Sequence, residues 1–181
     1  MRILLLGIFV LGCLLGPRSG EATPEPRYET NGLAVVASYG YASASGVGGD
    51  LVFYLNELPV SWLGLAFYVG GGYYLPIRPD HDGARDFGQA GASGGVLILL
   101  GSDNHRIALD GGVGLIGTEA RGISMVIVYG INLGVGYEFL SDSGLILRAL
   151  GGISVTGFPA HLPLLGPVAP TLNIAVGYKF W

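Results

Sequence analysis

Between residues 123 and 139 the chain alternates with a period of two. The odd positions Ile123, Met125, Ile127, Tyr129, Ile131, Leu133, Val135, Tyr137 and Phe139 are large and apolar or aromatic. The even positions Ser124, Val126, Val128, Gly130, Asn132, Gly134, Gly136 and Glu138 are mostly small or polar. A helix groups like residues three or four apart, so this pattern specifies a strand. The same alternation predicts strands over 33–42, 48–56, 62–74, 89–100, 106–117, 144–156 and 171–180, which makes eight with 123–139. The stretch 89–100 is the least marked, because V-L-I-L-L at 96–100 is apolar on both faces.

The charges decide what the apolar face meets. Asp50, Asp110, Glu138, Arg148 and Lys179 all fall opposite the large apolar residues of their strands. One face of every strand is therefore uncharged and rich in Leu, Ile and Val. Such a face suits lipid, and a sheet is stable in lipid only when closure leaves no unpaired edge. Most predicted strands also reach the ~9–11 residues that a tilted strand needs to cross a bilayer. The expected fold is all-β, an eight-stranded antiparallel up-and-down transmembrane β-barrel over 32–181.

An eight-stranded barrel has an interior just wide enough for side chains to fill it or to hold one small ligand. Asp50, Asp110, Glu138, Arg148 and Lys179 are expected to form a structural polar network in a packed, non-conducting lumen. Tyr54, Asn56, Tyr68, Ser93, Asn132 and Asn173 share that face. Buried carboxylates need cationic partners, and Glu138 is placed to pair with Arg148 across the short S-D-S-G turn. Connections after strands two, four and six are short, while those after three and seven are longer. Barrels keep tight turns on the periplasmic side, which puts both chain ends there.

Composition agrees with this reading. The 181 residues include 33 glycines and only 12% charged residues, with a formal net charge of −4. Mean hydropathy is +0.55, above what a soluble surface tolerates. No lysine–arginine cluster supports binding to nucleic acid. Residues 1–22 read as a signal peptide for export: Met1-Arg2, an apolar run, Gly16-Pro17, and small residues before a cut near Ala22. V-L-G-C at 10–13 offers the rival of lipidation at Cys13, the only cysteine. Residues 23–31 are expected to be a short periplasmic N-terminal segment, and no further domain is expected after the eighth strand.

Catalytic chemistry is sparse. The histidines are His81, His105 and His161. His81 lies in P-D-H-D-G-A-R-D, read as a hydrophilic outer loop rather than a cation site. His105 is expected in a solvated turn. No serine lies near His81 or His161 in sequence, so no nucleophile with its base is evident. No enzyme activity, cofactor or metal is expected. The stretch F-P-A-H-L-P-L-L-G-P-V-A-P over 158–170 carries no formal charge and has four prolines, unusual for a loop that only faces water.

With these features the chain resembles the small eight-stranded outer-membrane barrels of the OmpA/OmpX type, with OmpW-like barrels as the alternative. The resemblance covers 32–181 and includes the C-terminal pattern that the barrel-assembly machinery reads. Tyr178 and Phe180 fit it, preceded by Leu172, Ile174 and Val176, while Trp181 stands beyond the usual last aromatic. Tyr137, Phe139, Tyr178 and Phe180 are expected in an aromatic girdle. The resemblance implies a monomer in the outer membrane of a Gram-negative cell envelope, with outer-membrane lipid and the assembly machinery as partners. Its role would be structural or interactive at the cell surface, through extracellular loops and an extracellular partner. Binding or transport of a small hydrophobic ligand is the second reading, and a lipid-modifying enzyme the third.

Overall fold

The computed structural model describes residues 29–41, 44–76, 89–101, 103–120, 123–157 and 168–180. The predicted signal peptide with Cys13, the loop holding His81, the apolar stretch around His161, and Trp181 lie outside the described residues. Eight strands run β1 (Gly32–Tyr41), β2 (Ala44–Leu55), β3 (Leu63–Pro76), β4 (Gln89–Leu100), β5 (His105–Ala120), β6 (Ile123–Leu140), β7 (Leu145–Gly157) and β8 (Val168–Lys179). Each pairs antiparallel with its sequence neighbours, and β1 pairs with β8 to close the barrel. Closure satisfies every strand edge internally, which the hydrocarbon of a bilayer demands.

Four strands begin or end at least two residues further out than the alternation suggests: β3 runs to Pro76 and β8 starts at Val168, and the other two are β2 and β5. β2 starts at Ala44, and Gly46-Val47-Gly48-Gly49 pairs with both β1 and β3. β5 continues to Ala120, with a register shift between Thr118 and Ala120. Glycine has no side chain to display a period of two, so pairing there is dictated by neighbouring strands rather than by local pattern. The seam is the shortest ladder, with eight partner pairs between β1 and β8 against fifteen between β5 and β6. One further bond, from the Phe180 amide to the Leu33 carbonyl at 2.9 Å, extends it.

The outward face is the one predicted. Val69 and Val113 are each 62% exposed, and Leu51, Ile131, Leu133, Val135, Ile174 and Val168 are exposed with them. In the ambiguous β4, Ile98 points out while Leu97 and Leu99 are fully buried. The outer surface is thus an apolar belt that only lipid can cover without cost.

We call the end carrying residues 56–62, 101–104 and 141–144 the turn end, and the opposite one the loop end. Tight turns close the first: the Gly101 amide donates to Trp62 (2.9 Å), and Ser141 closes on Leu145 (2.8 Å). Gly144 takes φ +99°, a conformation that L side chains avoid. The S-D-S-G turn therefore needs its glycine.

Candidate functional site

The lumen is filled unevenly. Over the turn-end half the inward positions are large and buried: Val52, Tyr54, Leu97, Leu99, Leu140 and Ile146 are all at 0% exposure. Set among them is a charged cluster. Glu138 is fully buried, and its Oε2 lies 2.6 Å from Arg148 Nη2 in an ion pair. Arg148 Nε donates to the same oxygen at 2.7 Å, and the Tyr54 hydroxyl donates to it at 3.0 Å. Arg148 Nη2 also donates to the Tyr54 oxygen at 2.9 Å. One oxygen thus collects two residues' donors, which suits an ionised carboxylate. Its sister atom Oε1 is buried without a hydrogen-bond partner among the described residues.

Below this plug the strand ends are tied to the segment before β1. Lys179 is fully buried, its ammonium 5.4 Å from the centre of the Tyr54 ring, and it donates to the Thr30 carbonyl. Asn56 Nδ2 donates to the same carbonyl at 3.1 Å, and Arg106 Nη1 donates to Asn56 Oδ1 at 2.8 Å. Asn31 Oδ1 accepts from the backbone amides of Asn56 (2.9 Å) and Glu57 (3.1 Å). Residues 30–31 are therefore bound to the turn after β2 and to β8, and Arg106 of β5 joins the group through Asn56. The segment before β1 is thereby fastened to both strands that flank β1.

Arg106 was not singled out by the strand pattern, although it is inward and only 5% exposed. It stands at the strand boundary, where the predicted β5 began. Its even position, in phase with Asp110, is the signal that identifies it. Among the expected lumen residues, the structure brings Glu138 and Arg148 together with Tyr54, and sends Lys179 to Thr30. Asp50 and Asp110 sit apart from both, nearer the loop end.

There the lining changes. Inward Ser38, Asp50, Tyr68, Ser93, Asp110, Asn132, Ser154 and Asn173 are all only half-buried, and glycines lie between them. The Tyr68 hydroxyl reaches across β4 to donate to Asp110 Oδ1 at 2.9 Å. Gly95 and Gly112 make that reach feasible. A methyl at Gly95 would stand 2.6 Å from the Tyr68 oxygen, and one at Gly112 would stand 3.3 Å from its ring carbon Cζ. Asp50 leans in the same way over Gly70. Among the described residues no group donates a hydrogen bond to the Asp50 carboxylate, and none of them form a cluster of three metal-ligating side chains.

On the outer surface near the turn end, His105 opens β5 rather than sitting in a solvated turn. Its Nδ1 meets the Tyr137 hydroxyl, and its ring lies 5.2 Å from that of Phe139. Hydrogen-bonded pairing of His105 with Phe139 in the β5–β6 ladder draws it into the strand. Tyr178 and Phe180 meet edge to face at 5.5 Å.

No protein-family model matches the sequence, and no curated protein shows significant similarity to it. Solved structures do. Neisserial surface protein A aligns with a TM-score of 0.55 and 15% identity, over 83% of this chain and 97% of that one. The N-terminal β-barrel domain of Pseudomonas aeruginosa OprF aligns with a TM-score of 0.55 and 14% identity, over 83% and 98%. A major outer membrane protein from Thermus thermophilus gives 0.52 and 14%, over 83% and 100%. At such identities the likeness is one of backbone architecture, and it spans nearly the whole length of each structure. The chain has the fold of the small eight-stranded outer-membrane barrels.

Proposed function

We propose that this protein resides in the bacterial outer membrane after export by a cleaved signal peptide, and that it neither conducts nor catalyses. Its role is structural or interactive, carried by the connections at the loop end, which face the cell exterior. The observation that supports this reading is the plug: Tyr54, Leu97, Leu99, Leu140, Ile146, Glu138 and Arg148 are buried across the lumen, with residues 30–31 tied beneath them. Eight strands leave no room for a pore beside such residues. His105, the one histidine among the described residues, is engaged with Tyr137 on the outer surface and away from the lumenal carboxylates.

Purified protein in planar bilayers is expected to show no sustained conductance, and steady channels of reproducible size would overturn the reading. Fractionation should place the protein in the outer membrane, with a folded form that migrates differently in SDS gels until boiled. Recovery from the soluble fraction would remove the membrane assignment itself. Apart from Val36, which is buried opposite Asp50, the described inward residues of the loop-end half are small or polar, which supports this reading over admission of an apolar solute.

A further inference from the structure

We propose that the turn-end rim of β5 and β6 recognises the headgroup of a zwitterionic phospholipid bearing a primary ammonium, with His105 and Tyr137 taking the phosphodiester and Asp142 the ammonium. The site faces lipid, so it rests on membrane residence in the preceding reading.

Position is the first argument. His105 stands on the outward face of β5 at its turn-end limit, paired with Phe139 of β6. Ile107, Leu109 and Val135 continue that exposed apolar face toward the bilayer centre. On the other side lie the turns 101–104 and 141–144, next to which the Leu140 amide donates to the Asn104 carbonyl at 2.9 Å. The ring thus sits where an apolar belt meets exposed polar turns, the level at which phospholipid headgroups lie.

Donor count is the second. His105 Nδ1 and the Tyr137 hydroxyl share one hydrogen bond, and the Phe139 ring flanks the imidazole at 5.2 Å between centroids. Whichever group donates, the pair keeps one further donor, either the Nε2–H of the imidazole or the O–H of the tyrosine. A donor at the edge of hydrocarbon needs an acceptor, and the phosphodiester oxygens of a headgroup supply one.

Charge is the third, and it selects the headgroup. The cations among the described residues, Arg106, Arg148 and Lys179, are all buried. The exposed charges of the turn end are the carboxylates of Glu29, Glu57, Asp103 and Asp142. Such a rim repels an anionic lipid and attracts a headgroup that ends in a cation. Asn104, next to His105, donates to Asp142 Oδ1 at 3.0 Å, which holds that carboxylate at the turn bordering the histidine. Phosphate at His105 with ammonium farther out at Asp142 is the order in which a phosphoethanolamine headgroup presents its charges. A primary ammonium gives the carboxylate charge-assisted N–H donors, and a quaternary one has none to give.

The test uses the full folded protein in a sugar-headed detergent with equimolar dioleoyl phosphatidylethanolamine, phosphatidylcholine and phosphatidylglycerol, and native mass spectrometry reads the bound lipid. Retention of the ethanolamine lipid is expected to exceed that of each of the others by about fivefold or more. Asp142→Asn should remove the preference over the choline lipid. His105→Ala should lower retention of the ethanolamine and choline lipids alike, because the phosphodiester is common to both. Tyr129→Phe, exposed on the same face of β6 but toward the loop end, should change neither. In bicelles, exchange of choline for ethanolamine lipid should move the backbone amides of 103–107 and 137–142 and spare 113–115, which carries the test should a variant fail to fold. Equal retention of all three lipids, or a preference that survives both His105→Ala and Asp142→Asn, would overturn the proposal as unspecific solvation of the belt. Recovery of the protein from the soluble fraction would break the membrane reading beneath it. Loss of selectivity in a protein that still fractionates with the outer membrane would break the site alone.

Discussion

The two halves of the lumen are built from the same eight strands and differ in what those strands carry inward. At the turn end, Tyr54, Leu97, Leu99, Leu140 and Ile146 fill the cross-section and surround an ion pair at 2.6 Å. At the loop end, glycine, serine, asparagine and two aspartates leave their surfaces half-buried. Packing and the Glu138–Arg148–Tyr54 network fill the turn end, while the polar residues that line the other half are only half-buried. Tyr68 marks the border, lying over Gly95 and Gly112 to reach Asp110.

The sharpest way to break this contrast is Arg148→Met. It strands the fully buried Glu138 without its cation, and removal of one partner of a buried pair costs ~3–5 kcal/mol. Urea unfolding in detergent should show that loss, and a double variant with Glu138→Leu should recover most of it. A loss below ~1 kcal/mol would mean that the plug is held by apolar packing alone. Next in size is Lys179→Met, which removes a buried charged donor from the Thr30 carbonyl. A loss of ~1.5–3 kcal/mol is expected, with faster proteolysis of the segment before β1. Unchanged proteolysis would show that the tie does not hold that segment.

A matched pair of tyrosines compares the halves directly. Tyr54→Phe takes one donor from Glu138 and one acceptor from Arg148 in a dry setting, and should cost ~1–3 kcal/mol. Tyr68→Phe removes a single bond to Asp110 where solvent can replace it, and ~1 kcal/mol or less is expected. Equal losses in unfolding midpoints would contradict the difference in packing. Added methyl groups compare the halves once more, and the smallest effect of all is expected at the loop end. Gly64→Ala meets Asn56 at 2.8 Å and should cost ~1–3 kcal/mol by overpacking. Gly114→Ala, with its nearest neighbour at 3.6 Å, should stay within ~0.5 kcal/mol. Reversal of that order would put the tight half at the wrong end.

Much of the barrel was legible because strand phase is written residue by residue. The alternation in 123–139 places Tyr137 outward and Glu138 inward without reference to any other strand, and both are found so. It faltered ahead of Gly48, over Ala44 to Val47, whose last three residues the structure pairs on both sides. Arg106 escaped for a related reason: at a strand boundary there are too few neighbours to set a phase. The pairing of Glu138 with Arg148 was within reach, since a short turn brings positions ten residues apart side by side. Tyr54 joining that pair was not, because it lies 94 residues from Arg148 in the chain.

The echo between N-L-G-V-G-Y-E-F at 132–139 and N-I-A-V-G-Y-K-F at 173–180 shows the same limit. Both copies turn asparagine, glycine and charge inward, as their alternation requires. Yet the hydrogen-bonded partners of Glu138 lead through Arg148 to Ala175, four residues short of Lys179 (179 − 175 = 4). That stagger is why Glu138 meets Tyr54 and Arg148 while Lys179 reaches past them to Thr30. By itself the sequence determined strand number, facing, and the segregation of charge from lipid, because a period of two is a local property of the backbone. Only the tertiary structure decided which inward residues share a level, since that depends on register and closure around all eight strands. The buried cluster at the turn end is a consequence of that second kind of information.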